Sequence, residues 1–258
     1  MLTSDDVDDF AQRLDQATLE AQAVTQLTTT KAFSLAEAYT IQRAGIALRK
    51  LRGDELVGLK MGLTSRAKMV QMKVEVPIYG HLTRSMILED GGTVLRASHI
   101  HPRVEPEIAF LLAKDLEGPV TPAQALAAVD CCCCALELID SRFENFQFTL
   151  QDVVADNASS SRFVLGSRVR PRDTDTGNLG MVMTKNGVVV ETGSSAAIYE
   201  HPARSLAALA NQLVSLGEQL KAGMIVMTGG ATAAMALSPG DRARVDVDGL
   251  GSAELFVV

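Results

Sequence analysis

Tryptophan is absent from this 258-residue chain, aromatic residues make up only 4% of it, and acids outnumber bases to give a formal charge of −7. A surface that grips phosphates needs clustered Lys and Arg, and one that stacks bases needs aromatic platforms, so nucleic acid is excluded as an expected partner. Long hydrophobic runs are also missing. No apolar stretch reaches the roughly 20 residues that span a bilayer. The opening Met1-Leu-Thr-Ser-Asp-Asp6 has no basic residue and no apolar segment behind it. The expectation is a soluble, cytoplasmic protein with no membrane partner.

Cysteine occurs only as the run Cys131 to Cys134. A disulfide framework needs dispersed cysteines and a zinc site needs a second ligand pair, so buried, reduced thiols are expected. The Cys-x-x-Cys spacing carries no redox expectation, because the run leads into a strand pattern rather than opening a helix. Histidine is equally sparse. His81, His99, His101 and His201 lack the spacing of a metal pair.

With 47% hydrophobic residues the chain can bury one substantial core. Thr3 or Ser4 can cap a first helix carrying Val7, Phe10 and Leu14. Ser34-Leu-Ala-Glu37 is a capping box opening a second, with Ala38, Ile41, Gly45 and Leu48 at helical spacing. Residues 1–55 therefore read as a helical N-terminal lobe and 56–258 as a β-rich catalytic domain. The second part breaks into short strand-like runs at Leu56–Met61, Val104–Leu112, Cys132–Ile139, Arg162–Val169, Gly180–Thr184, Val188–Glu191, Met224–Thr228, Arg242–Val247 and Ala253–Val258. Helices are expected at Pro122–Val129 and Ala203–Leu220, and a type I′ hairpin at Asn186-Gly187.

Three acids lie where strands should carry hydrophobes. In His101-Pro-Arg-Val-Glu-Pro-Glu-Ile-Ala-Phe-Leu-Leu112, alternation puts Glu105, Glu107 and Ala109 on one face and Val104, Ile108 and Phe110 on the other. The two acids then have Cα atoms roughly 6.6 Å apart. Glu137 sits likewise between Leu136 and Leu138, sharing a face with Ala135 and Ile139. Buried like charges need a proton, a cation or a metal, and an oxygen-only ligand set suits Mg²⁺ or Mn²⁺. A solvated strand edge, which Pro106 suits because it cannot donate to a ladder, accounts for the acid pair equally well.

Lys60, inside the apolar run Val57–Thr64, wants an anion: a substrate carboxylate, a proton acceptor, or simply solvent reached by snorkelling. The block Gln151–Phe163, with Asp156, Asn157 and Ser160, reads as a ligand-facing loop or as an Asx-rich turn. Met227-Thr-Gly-Gly-Ala-Thr232 offers the Thr228 and Thr232 hydroxyls and the Gly229 amide to a carboxylate, or is a plain turn; it is not a nucleotide loop. His101 is close enough to support the acid pair from behind.

Lys60, Glu105-x-Glu107, Glu137, Ala155-Asp-Asn-Ala-Ser-Ser160 and Thr228-Gly-Gly230, taken in that order, make the chain from about residue 30 onward resemble the fumarylacetoacetate hydrolase superfamily, in its branch of meta-cleavage hydratases and decarboxylases. The resemblance implies an α+β fold with a mixed β-roll or barrel core and an N-terminal helical segment. It also implies Mg²⁺ or Mn²⁺ on Glu105, Glu107 and Glu137, with Lys60 as the catalytic residue and Lys60, Asp156, Asn157, Ser160, Thr228, Gly229 and Thr232 around a small dicarboxylate 2-oxo acid. Hydratases of that branch read Pro-Asp-Phe-Gly where this chain has Pro77-Ile-Tyr-Gly80. Loss of that acid favours metal-dependent decarboxylation of 2-oxo-3-hexenedioate to 2-hydroxypenta-2,4-dienoate and CO₂. The alternatives are 2-hydroxypenta-2,4-dienoate hydration, or a weakly active subunit that stabilises such a hydratase. A homo-oligomer, and a complex with a homologous hydratase, are implied as well.

Overall fold

The computed structural model describes residues 1–258, the side chain of Lys68 excepted. Helices α1 (Ser4–Glu20), α2 (Leu27–Thr30) and α3 (Leu35–Leu51) come first. Thr3 caps α1 and Ser34 caps α3, each in a reciprocal capping box with the acid three residues on. There follow β1 (Leu56–Gly62), α4 (Arg66–Met72), β2 (Ile78–Thr83), β3 (Ile87–Leu88), β4 (Gly92–Val94), β5 (Arg103–Leu112), α5 (Pro122–Leu126), β6 (Val129–Ile139), α6 (Leu150–Ala155) and β7 (Ser160–Leu165). The chain finishes with β8 (Gly180–Lys185), β9 (Val188–Ser194), α7 (Pro202–Val214), β10 (Ile225–Met227), β11 (Met235–Ala236), β12 (Arg242–Val247) and β13 (Gly251–Val257).

Two mixed sheets carry the fold, as the α+β expectation requires. The larger runs β2-β1-β10-β5-β6-β7-β3, with β11 paired to the start of β5, and the smaller runs β4-β13-β12-β8-β9. Asn186-Gly187 joins β8 to β9 with both residues at positive φ, as the turn type demands. The expected strands are all present, with ends shifted by up to four residues. The helix expected over Ala203–Leu220 starts one residue earlier, on Pro202, and stops at Val214, with Gly217 at positive φ just beyond it.

The long strands β5 and β6 separate two environments. Val104, Ile108, Phe110, Leu112, Cys132, Cys134, Leu136 and Leu138 face outward into a core shared with the second sheet (Met181, Met183, Val245, Leu255) and with Leu206, Leu209 and Leu213 of α7. Burying side chains of that size stabilises by roughly 1.5–3 kcal/mol each. Two of the thiols, Cys132 and Cys134, belong to this packing; all four are free and buried, and burial pushes Cys133 and Cys134 up to about 12. The inner face of the same strands carries Ala109, Ala135 and the acids, beside Leu82, Met86, Phe163 and Met227.

The large sheet is curled. Asn157, just ahead of β7, bridges to β2 near the opposite end of the strand order: its Oδ1 accepts from His81 N at 2.7 Å and its Nδ2 donates to His81 O at 2.9 Å. The helices cap one end through a second cluster in which Phe10, Leu27 and Ile41 meet Phe143, Val153 and Val154. The side chains that shape the helical lobe therefore include several from well beyond residue 55.

Candidate metal centre and cavity

Glu105 and Glu137 are directly opposed in the antiparallel β5–β6 ladder, and Glu107, one step along, faces Ala135. All three are buried, Glu107 and Glu137 completely, and one oxygen from each lies within 4.8 Å of the others. The strand-edge reading therefore fails. Pro106 is tolerated in a central strand because its nitrogen faces the gap between β10, which pairs from Ala109 onward, and β11, which pairs at Arg103 and Val104. In that gap its carbonyl accepts from Ala231 N at 2.9 Å.

The Thr228-Gly-Gly loop serves this cluster. Gly229 N donates to Glu107 Oε2 at 2.8 Å, so the amide expected to hold a substrate carboxylate holds one of the protein's own. Glycine is required for that approach: a Cβ on Gly229, whose φ is +109, would lie 2.1 Å from Thr64 Oγ1, and one on Gly230 would lie 2.4 Å from Glu105 Oε2.

Lys60 enters from β1, which is separated from β6 by β10 and β5. Three strand spacings amount to roughly 14 Å on a flat sheet, beyond the reach of the two side chains. The curl closes that distance, leaving Lys60 Nζ 2.9 Å from Glu137 Oε2 and donating to Ala158 O at 3.1 Å. Burial disfavours charge on Lys60, but the nearby carboxylates, Glu137 foremost, outweigh it and hold its pKa above the ordinary value. Burial, then the charge of Glu137, pushes Glu107 well above the usual carboxylate range; burial pushes Glu137 up as well, against the pull of Lys60.

Oε1 of Glu107 and Oε1 of Glu137 are buried without a hydrogen-bond partner among the described residues. Orphaned hard oxygens converging from three side chains are the donor set that Mg²⁺ or Mn²⁺ takes. Glu105, Glu107 and Glu137 thus fit the expected metal.

A cavity of about 390 Å³ opens over this floor, lined by Lys60 and Glu105, by Arg103, Gln71 and Ser159, and by an apolar wall of Leu63, Met72, Ile78, Phe146, Phe148 and Val153. Ser159 is a site residue that sequence reasoning missed. Its hydroxyl is buried and has no partner among the described residues. Asn157, Ala158 and Ser159 all have positive φ, a left-handed turn that aims the Ala158 carbonyl at Lys60 and places Ser159 at the cavity wall.

Several residues expected around the substrate do not line this cavity. The block Gln151–Phe163 is not a loop throughout: it contains α6, capped by Thr149, and the start of β7. Asp156 is paired with Arg142 through the guanidinium Nε, and Arg142 N donates to its Oδ2 at 3.1 Å. Burial nonetheless raises Asp156 to about 6. The Asn157 amide is spent on β2. Ser160 lies inside the roll with its hydroxyl against Met86 Sδ at 3.7 Å. The Thr228 hydroxyl donates to Ile108 O at 2.7 Å, and that of Thr232 donates to Ala233 O at 3.1 Å. His101 packs edge-on against Phe146 and donates its backbone N–H to Asp140. For Asp156, Asn157, Ser160, Thr228 and Thr232 the polar atom is consumed by the fold, whereas His101 Nε2 is buried without a partner among the described residues.

The family model described as fumarylacetoacetate (FAA) hydrolase C-terminal matches residues 57–258. A 4-oxalocrotonate decarboxylase from Pseudomonas sp. is 53% identical over 94% of both chains. A 2-hydroxyhexa-2,4-dienoate hydratase from Comamonas testosteroni is 37% identical over 95% of this chain and 94% of its own. Among solved structures, 4-oxalocrotonate decarboxylase from Pseudomonas putida G7 complexed with magnesium and adipate superposes with a TM-score of 0.98 at 42% identity, covering 100% of this chain and 99% of that one. The chain belongs to the fumarylacetoacetate hydrolase family.

Proposed function

We propose that this protein is a magnesium-dependent carboxy-lyase that converts 2-oxo-3-hexenedioate to 2-hydroxypenta-2,4-dienoate and CO₂. The observation that carries this reading is a buried triad of acids beneath a cavity whose wall is apolar at Ile78, the position where the hydratase pattern has an acid. The greater identity to decarboxylases than to the hydratases agrees with it.

Glu105, Glu107 and Glu137 would hold the metal. When bound, it supplies Lewis acidity that stabilises negative charge developing on the substrate oxygen. In the reaction the C5–C6 bond breaks, its electron pair moves through C4 and C3 onto the C2 oxygen, and C6 leaves as neutral CO₂. Lys60 Nζ, held by Glu137 and Ala158 O, would give a proton to that oxygen, and the Ser159 hydroxyl would hold a carboxylate of the substrate. Leu63, Ile78, Phe146 and Phe148 keep water from the carbon chain and favour loss of charge. The setting we assign is the meta-cleavage catabolism of aromatic compounds, in the cytoplasm. Four unpaired thiols support a reducing compartment, and no helix of the described residues is long and apolar enough to cross a membrane. A homo-oligomer, and association with a homologous hydratase that consumes the dienoate, complete the reading.

The test is an assay of the purified chain with 2-oxo-3-hexenedioate, following CO₂ with magnesium and with excess chelator, beside an assay of water addition to 2-hydroxypenta-2,4-dienoate. CO₂ release that chelator abolishes is expected. Water addition as the faster reaction, or decarboxylation indifferent to chelator, overturns the assignment.

A further inference from the structure

Arg103 opens β5 two residues before Glu105, so alternation places it on the face that carries the acids, and it lines the same cavity. It is the one guanidinium among the described residues that do so. The plane of Phe146 supports it, 4.3 Å from guanidinium carbon to ring centroid, and no carboxylate among the described residues pairs with it. Stacking of this kind holds an arginine in place while leaving its N–H fork unspent.

Charge burial gives that fork an occupant. A dianionic ligand brings two charges into a low-dielectric cavity, and the carboxylate remote from the acid floor needs a cationic partner there. We propose that Arg103 is the specificity-determining residue for dicarboxylates, its guanidinium receiving the carboxylate remote from the 2-oxo group. This rests on the reading of the cavity as the site of a 2-oxo dicarboxylate.

The chemistry sets the sign of its effect. The remote carboxylate is the one that leaves, and its charge departs into the carbon chain as the C5–C6 bond breaks. An ion pair with it is therefore strongest in the bound substrate and weakens toward the transition state. Arg103 selects and seats the diacid without accelerating its cleavage.

Calorimetric titration of the magnesium-loaded protein with adipate, an unreactive six-carbon diacid, and with hexanoate, which lacks the second carboxylate, tests this without turnover. Wild type should bind adipate about tenfold or more tighter than hexanoate, as a charge-assisted hydrogen-bonded contact is commonly worth. Arg103→Gln should erase that difference by weakening adipate alone, and Arg103→Lys, which keeps the charge but not the fork, should fall between. With 2-oxo-3-hexenedioate, Arg103→Gln should raise KM by about tenfold and leave kcat unchanged or higher. Equal weakening of both acids, undiminished adipate binding, or a fallen kcat with unchanged KM would each overturn the proposal. Should wild type release no CO₂ at all, the assigned reaction fails, while the adipate and hexanoate comparison still decides the role of Arg103. Near-wild-type circular dichroism of Arg103→Lys guards against a folding defect as the cause.

Discussion

Glu105 and Glu137 face one another across hydrogen-bonded strands inside a closed roll, a pairing of like charges that a sheet disfavours even in water. The arrangement is stable only if a proton or a cation sits between them, and the orphaned oxygens of Glu107 and Glu137 call for the cation. Magnesium at about a hundredfold excess over its Kd should therefore raise the melting temperature by roughly 5–10 °C, the increment that binding linkage gives for a chain of this size. Glu107→Gln should abolish both that rise and CO₂ release while leaving the far-ultraviolet spectrum unchanged. A melting temperature insensitive to magnesium and to chelator would refute the site.

Lys60 should separate catalysis from metal binding. Its ammonium is the one cation paired with Glu137 among the described residues, so Lys60→Met leaves that buried acid uncompensated and should destabilise the metal-free protein by about 3 kcal/mol, with magnesium restoring most of the loss. Turnover in saturating magnesium should still fall by roughly 10²–10⁴, the usual value of a positioned proton donor. An unchanged rate in the magnesium-loaded variant would make Lys60 a structural counter-ion.

Adjacent serines should behave oppositely. Ser159 offers the cavity a buried hydroxyl without a partner, so Ser159→Ala should cost the ligand-free protein nothing, or stabilise it by up to about 1 kcal/mol, while weakening substrate turnover. Ser160, whose hydroxyl meets only the Met86 sulfur, should be near silent in kinetics when replaced by Ala. Steady-state kinetics on the two variants decides; a slow Ser160→Ala beside a normal Ser159→Ala would move the site by one residue.

The acid pair was legible in the sequence because strand alternation is strict: once β5 is extended, Glu105 and Glu107 must share a face, and Arg103 follows by the same rule, whereas Glu137 joins them because the register sets it opposite Glu105. Ser159 was not, because the chain runs through three left-handed residues before β7, and no periodicity carries across such a turn. Asp156 looked like a ligand for a related reason. Its partner, Arg142, lies 14 residues away and is brought alongside by the short helix α6, which the polar residues of the Gln151–Phe163 block conceal. Strand β2 also escaped notice. Ile78-Tyr-Gly-His-Leu-Thr83 follows Pro77, holds Gly80 in its middle and shows no apolar–polar alternation, and it is extended because it pairs with β1 and is closed over by Asn157. Pro106 misled in the other direction, since only the break between β10 and β11 shows why a central strand can hold it.

The N-terminal helices give the clearest dependence on pH. Glu37 accepts from Ser34 N and Ser34 Oγ, each at 2.8 Å, and from Leu2 N at 2.5 Å. Those bonds, the Ser34 backbone bond foremost, lower its pKa from 4.5 to about 2. A carboxyl depressed on folding contributes stability that is complete above its unfolded value and is lost as pH falls through its folded one. The contribution should therefore fade between about pH 4.5 and 2, releasing the start of α3 and the Leu2 tether together. Glu37→Gln keeps an acceptor at the cap but has no proton to take up, so its melting temperature should be lower than wild type at pH 7 and the gap should narrow steadily on acidification. Thermal melts followed by circular dichroism from pH 7 to pH 3 measure that gap, and a gap that stays constant over the range would mean that the cap draws nothing from the charge on Glu37.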